Sequence, residues 1–162
     1  MAANLDLTNG RVELAHGGGG RAMERLIDQL FRTALANDWL NDGADAARFR
    51  VGAGELVMAT DSHVVSPLFF PGGDIGSLAV HGTINDVAMG GARPLYLAAG
   101  FVLEEGFPLA DLKGIVESMA AASREAGVPV VTGDTKVVES GKGDGVYINT
   151  TGVGQVIPDV EV

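Results

Sequence analysis

No cysteine occurs among the 162 residues, so the chain carries no disulfide, thiolate zinc site or cysteine nucleophile, and its fold must rest on packing. Cations are scarce as well: 11 lysines and arginines stand against 21 aspartates and glutamates, a formal charge of −10. That balance argues against a nucleic-acid or anionic-membrane surface. A phosphate-bearing ligand would need a metal ion, backbone N–H groups and one or two lysines to offset its charge. Long hydrophobic runs are missing too. Met1 to Gly10 has no apolar stretch of the signal-peptide kind, and later apolar runs are too broken by glycine to span a bilayer, so a cytoplasmic location is expected.

Glycine, by contrast, is abundant. Its 24 residues are roughly twice the usual share of about 7%, spread without a repeat period, as residues that shape turns rather than a disordered tract. The length is that of one ordinary domain with a real core, so residues 1–162 are expected to form a single unit.

Arg21 to Leu35 places Met23, Leu26, Ile27, Leu30, Phe31 and Leu35 at the three-and-four spacing of an amphipathic helix. Before it lies His16-Gly17-Gly18-Gly19-Gly20, which reads either as a flexible glycine-rich leader over residues 1–20 or as a loop whose backbone can approach an anion at a helix N-terminus. Asp45 to Val51 and Leu56 to Thr60 read as two strands of a hairpin joined at Gly52-Ala53-Gly54. Asp74 suits the N-cap of a helix ending at Gly90-Gly91. Pro94 to Leu103 reads as a buried strand, and a helix runs from Pro108 to Gly127. Val128 to Thr132 and Val146 to Val156 complete the strands. The order predicts an α+β fold, a mixed sheet with helices on one face. Neither a GxxxxGK[ST] loop nor a GxGxxG turn between strand and helix is present, which removes a P-loop and a dinucleotide site.

Three apolar segments run into polar clusters: Val130-Val131-Thr132 into Gly133-Asp134-Thr135-Lys136, Leu56 to Thr60 into Asp61-Ser62-His63, and Thr83-Ile84 into Asn85-Asp86. Taken singly, Asp45, Asp61, Asp86 and Asp134 read as caps or turn residues. As a set of four beside small residues they read as ligands of a hard cation such as Mg²⁺, because gathered carboxylates repel one another without one. Lys136, two residues after Asp134, shares its face on a strand and is either a phosphate contact or a salt-bridge partner. His63 reads as a hydrogen-bonded histidine, and Glu104-Glu105 as a solvated loop.

The run Thr60-Asp61-Ser62-His63-Val64-Val65-Ser66-Pro67-Leu68-Phe69-Phe70-Pro71-Gly72-Gly73 resembles the signature of the HypE family of hydrogenase maturation factors. His16 to Gly20, Asn85 to Ala88, Gly100 to Gly106 and Thr132 to Val138 match that family in the same order, and the likeness covers about Val12 to Gln155. The family is similar to aminoimidazole ribonucleotide synthetase, selenophosphate synthetase and thiamine monophosphate kinase, the PurM-like enzymes that bind Mg²⁺-ATP through aspartates.

The resemblance implies a PurM-like N-terminal ATP-binding domain whose sheets pair into a barrel in a homodimer, with ATP across the pair. Asp45, Asp61, Asp86 and Asp134 match the positions that hold Mg²⁺ and phosphates. Asn85 and Lys136 would lie beside the nucleotide, and the loop of Gly17, Gly18 and Gly19 would close over the phosphates. The family dehydrates a carbamoyl group on its own C-terminal cysteine to a thiocyanate, source of the cyanide ligand of [NiFe]-hydrogenase. The carbamoyl transferase HypF and the HypC-HypD scaffold are the implied partners. A complete member is about twice as long and ends in that cysteine, so this chain is expected to be the N-terminal half alone, incomplete for catalysis, with no confidently placed catalytic residue. The alternative is a non-catalytic dimerisation and docking domain for other maturation proteins.

Overall fold

A computed structural model describes residues 4–42, 46–47, 49–50, 52 and 54–158. Its centre is a four-stranded sheet in the order β1-β6-β4-β5, built from β1 (Leu56–His63), β4 (Ala92–Glu104), β5 (Val130–Val138) and β6 (Val146–Val156). β6 is antiparallel to both of its neighbours, and β4 runs parallel to β5, so the sheet is mixed. β2 (Phe69–Phe70) and β3 (Gly73–Asp74) form a separate short ribbon.

The expected hairpin's first strand falls partly outside the described residues, and its second strand makes a long-range pairing. Leu56 to His63 pairs with β6 through Leu56↔Gln155 to His63↔Ile148, and the described residues between 46 and 52 carry no strand. The glycine turn pointed to the nearest partner in sequence, whereas β6 has the residues that continue the ladder: 11 alternating positions that serve β1 on one side and β4 on the other. Asp45, assigned to the first hairpin strand, lies outside the described residues.

The helices form where their caps predict. Asp74 accepts hydrogen bonds from Gly76 N–H (2.6 Å) and Ser77 N–H (3.1 Å), which starts α4 (Ile75–Met89), and Gly90 ends it. α5 (Leu109–Ala126) starts behind Pro108 and stops at Gly127 in the left-handed conformation. The expected Arg21–Leu35 helix forms as α1 (Arg21–Leu26), a π-helical turn (Ile27–Phe31) and α2 (Arg32–Ala34). In the π turn Arg32 N–H reaches back five residues to the Ile27 carbonyl. α3 (Asp38–Asp42) follows. Leu26, Leu30, Ile75, Val80, Leu112, Ile115 and Met119 pack on Leu97, Leu103 and Ile148 to form one buried layer between helices and sheet. Among the described residues, no helix is long and apolar enough to cross a membrane.

Alternation along the strands leaves the other face of the sheet open. Leu56, Met58, Thr60 and Ser62 of β1 are exposed, while Val57 and His63 turn toward α4. At one corner described chain crosses this face: Trp39 of α3 and Phe49 set their rings 5.1 Å and 4.4 Å from that of Tyr96.

Candidate functional site

Cross-strand register decides which polar side chains can meet. One row across the sheet is Asp61, Thr150, Ala99 and Gly133, facing the helices. The next row is Ser62, Asn149, Gly100 and Asp134, facing the open side. Asp61 and Asp134 therefore sit on the two edge strands, about 14 Å apart at about 4.8 Å per strand, and on opposite faces. Among the described residues, no three histidine, aspartate or glutamate side chains come close enough to hold a metal ion together. Of the four aspartates expected to gather, Asp61 and Asp86 lie at one place and Asp134 at another, while Asp45 lies outside the described residues.

The first place is the seam between α4 and β1. Gly82 and Gly90 of α4 pack on β1, against His63 with Asp61 and against Val57. Asp86 falls midway between them at spacing four, on the same row of the helix, and Asn85 is its exposed neighbour. Asp61 accepts a hydrogen bond from Ser62 N–H (2.7 Å) and keeps its second oxygen 3.8 Å from His63 Nε2. Asp61 and Asp86 supply two hard oxygen donors at this seam. That set fits Mg²⁺, which takes one or two carboxylates and completes its shell with phosphate oxygens and water.

The second place is the C-terminal half of β5. Asp134 accepts from Thr135 N–H (2.9 Å) and from Lys136 Nζ (3.1 Å), with both side chains of the ion pair 61% exposed, so the lysine head remains available to an incoming anion. The shared face expected for these two residues is realised. The glycine loop lies alongside: a Cβ at Gly17 would sit 2.5 Å from Val137 N, a close approach that only glycine allows. Gly18, Gly19 and Gly20 are exposed, with Gly19 at φ +75°.

The residues that lead into this loop are packed. Val12 is buried and exchanges backbone hydrogen bonds with Phe107 and Gly106. A 3₁₀ turn (Leu14–Gly17) buries His16, whose Nδ1 accepts from Glu13 N–H (2.9 Å). Burial pushes the His16 imidazole below its ordinary pKa, offset in part by Glu13 and reinforced by Arg25.

A cleft of about 510 Å³ opens between the π turn and β5. Met23, Ile27, Phe31 and Trp39 form its apolar wall, and Gly133 and Asp134 its polar rim. A smaller hollow of about 230 Å³ on the open face joins Asp134 and Lys136 to Ser62 and Asn149. Asp134 lines both.

Three residues that sequence reasoning passed over belong to this arrangement. Asn149 Nδ2 donates to the Asp61 carbonyl and to Ser62 Oγ, each at 3.0 Å. Thr83 and Thr150 form a buried hydroxyl pair at 2.6 Å. The signal for two of them is the polar run Asn149-Thr150-Thr151 in the middle of an otherwise apolar strand.

Residues 43–156 match the family described as AIR synthase related protein, N-terminal domain. The chain is 73% identical over 160 residues to carbamoyl dehydratase HypE of Azotobacter vinelandii, covering 99% of this chain and 47% of that protein. It superposes with a TM-score of 0.88 and 56% identity on a crystal structure of hydrogenase maturation protein HypE in complex with ATP, over 91% of this chain and 44% of that one. A HypE–HypF complex gives a TM-score of 0.63 at 54% identity, over 81% of this chain and 42% of the other. The chain spans somewhat less than half the length of the curated relatives it matches. It belongs to the AIR synthase related family by its N-terminal domain, and within that family its likeness is to the HypE proteins of hydrogenase maturation.

Proposed function

We propose that the chain is the Mg²⁺-ATP-binding half of a HypE-type carbamoyl dehydratase. The observation that carries this reading is the Asp134–Lys136 pair on β5, with Asp134 on the rim of the cleft under the π turn and the glycine loop packed on Val137 of the same strand. A relative 56% identical in sequence and solved with ATP supports it. The cleft's apolar wall suits a base, while the loop's N–H groups and Lys136 suit phosphates. Asp61 and Asp86, with Asn85 beside them, would hold Mg²⁺ at the α4–β1 seam, and Asp45 is proposed to join them. The ion, when bound, neutralises charge that develops on the transferring phosphoryl group.

Since Asp61 and Asp134 face opposite ways in one chain, a nucleotide that serves both must pass over a sheet edge. Two copies are proposed to pair their open sheet faces as a barrel in a homodimer. In the whole protein, ATP would activate the carbamoyl oxygen and dehydration would leave a thiocyanate, the source of hydrogenase cyanide. The 162 residues hold no cysteine, so the carrier thiol must come from outside them. HypF is the proposed donor of the carbamoyl group, as the HypE–HypF complex of a relative supports. The HypC-HypD scaffold is the proposed recipient, and the cytoplasm the proposed location.

The separation of the two aspartates also favours a second reading, a dimerisation and docking module without nucleotide chemistry. Calorimetric titration of ATP, with Mg²⁺ and again with chelator, separates the two. The nucleotide reading expects magnesium-dependent binding that weakens at least about tenfold, one charged interaction's worth, in Asp61→Asn and in Asp134→Asn. Equal binding in chelator removes the carboxylate-metal assignment, and no binding at all favours the docking module.

A further inference from the structure

The 3₁₀ turn ahead of the glycine loop is closed by two reciprocal hydrogen bonds. Glu13 N–H donates to His16 Nδ1, and His16 N–H donates to the Glu13 carbonyl, each at 2.9 Å. Because Nδ1 accepts, it carries no proton, and the neutral ring keeps its proton on Nε2. The next residue is fixed against β5, since a Cβ at Gly17 would meet Val137 N at 2.5 Å and Val137 Cβ at 3.0 Å. Gly18 N–H turns back to the Ala15 carbonyl at 3.4 Å. Beyond it nothing lies within 4 Å of a Cβ position at Gly19 or Gly20. The loop thus leaves the fold at the turn that His16 closes.

We propose that His16, with Nδ1 bare, is the positioning residue of the glycine loop: it fixes the turn from which the loop reaches the phosphates, and a proton on Nδ1 releases that turn. The proposal rests on the Mg²⁺-ATP reading for its consequence in binding, and on the Glu13–His16 ring alone for the turn. Protonation would give both ring nitrogens an N–H, so Nδ1–H would face Glu13 N–H, donor against donor. The ring is 4% exposed, and burial also disfavours its charged form. α1 and β5 pack on the turn. From α1, Arg25 opposes a charge on the ring, while Arg21 and Glu24 are exposed. From β5, Val137 meets the turn, whereas Asp134 and Lys136 point to the open face. Glu13, within the turn, is the group that favours the charged ring. ATP held by the closed loop selects the neutral imidazole, so binding weakens as pH falls through the histidine range.

Three measurements on the 162-residue chain test it. Long-range ¹H–¹⁵N correlation is expected to show the His16 Nε2–H tautomer, and an Nδ1–H form overturns the proposal. In hydrogen exchange, the protection factor of the Glu13 amide is expected to fall at least about threefold from about pH 7.5 to about pH 5, and a constant value overturns it. Calorimetry of ATP at saturating Mg²⁺ then compares the parent with His16→Asn and His16→Phe. His16→Asn sets Oδ1 near the place of Nδ1, keeping an acceptor that does not titrate, and is expected within about threefold of the parent at about pH 7.5. His16→Phe keeps a ring without the acceptor and is expected to bind about tenfold more weakly. From about pH 7.5 to about pH 5 the parent is expected to lose about threefold more affinity than His16→Asn. Parallel pH profiles for those two chains, or His16→Phe binding as tightly as the parent, overturn the proposal and leave the nucleotide reading intact. Neither spectroscopic measurement needs a variant, so a His16→Phe chain that fails to fold leaves the outcome to them and to His16→Asn. If the parent binds no ATP, the nucleotide reading fails, and the tautomer and the Glu13 protection decide the turn alone.

Discussion

Lys136 is proposed to matter to a ligand, and its contacts give it little weight in the fold. Its ion pair with Asp134 is made in water, where such pairs are worth about 0–1 kcal/mol. Lys136→Ala is expected to change unfolding free energy by less than about 1 kcal/mol in urea titrations, while reducing ATP affinity about tenfold, the scale of one ammonium–phosphate interaction. A fall in stability with no fall in affinity would return Lys136 to a plain salt-bridge role. His81 makes the opposite point. The local sequence sets it among Val80 and Ile84, but it is exposed, because the face α4 buries is Ile75, Ala79, Val80, Thr83 and Val87. Glu104, expected in a solvated loop, instead ends β4, where its carboxylate accepts from Gly141 N–H (2.6 Å) and Gly145 N–H (3.0 Å). Those two bonds hold its pKa below the usual carboxylate value and pin the β5–β6 connection.

At the scale of elements, α4 carries two of the proposed site residues, Asn85 and Asp86, on a weakly amphipathic sequence. Its buried positions include glycine and threonine, so packing against β1 and β6 is close, and the seam that holds Asp61 and Asp86 depends on where the helix begins. Asp74 sets that start. Asp74→Ala removes the acceptor for Gly76 and Ser77 N–H and is expected to cost about 0.5–2 kcal/mol, measured as a lower urea midpoint with an unchanged slope. The interruption of the first helix by a π turn has a visible result: it brings Phe31 into edge contact with Phe101, ring centres 4.9 Å apart, at the head of the cleft. Apolar spacing alone does not distinguish a π turn from an α turn there.

For the molecule as a whole, the open sheet face separates a one-chain protein from a two-chain one. Met58 is 74% exposed on it, in the same row as Val153 and Tyr96. Under the homodimer reading, Met58→Glu places like charges across the pair and is expected to shift the dimer toward monomer in sedimentation velocity. A chain that is monomeric with or without this change would sink the barrel proposal. Stability should also depend on pH through His16. Its folded pKa lies below the unfolded value of about 6.5, so between the two the unfolded chain binds more protons and stability falls with falling pH. Urea unfolding followed from about pH 7.5, above the unfolded histidine value, to about pH 5.5, below it, should show that decline, and His16→Gln should flatten it. Glu104 acts lower down: its pKa is depressed in the fold, so its contribution is present above the unfolded carboxylate value and is lost as pH falls through the folded one.

Caps, helix periods and the late strands were legible from the chain itself, because they depend on neighbours within a turn or two. Asp74, Pro108 and Gly127 each mark an end that the structure keeps. The motif runs were legible as well, and they led to the family. What only the tertiary structure decided was pairing and facing. β1 took β6, far along the chain, as its partner, and that register turned Asp61 toward the helices and Asp134 toward the open face. A strand alternates its side chains at every residue, so which face an aspartate serves depends on the register of strands distant in the sequence. The sequence determined that acidic residues end three apolar runs, and the sheet decided that they divide between two places.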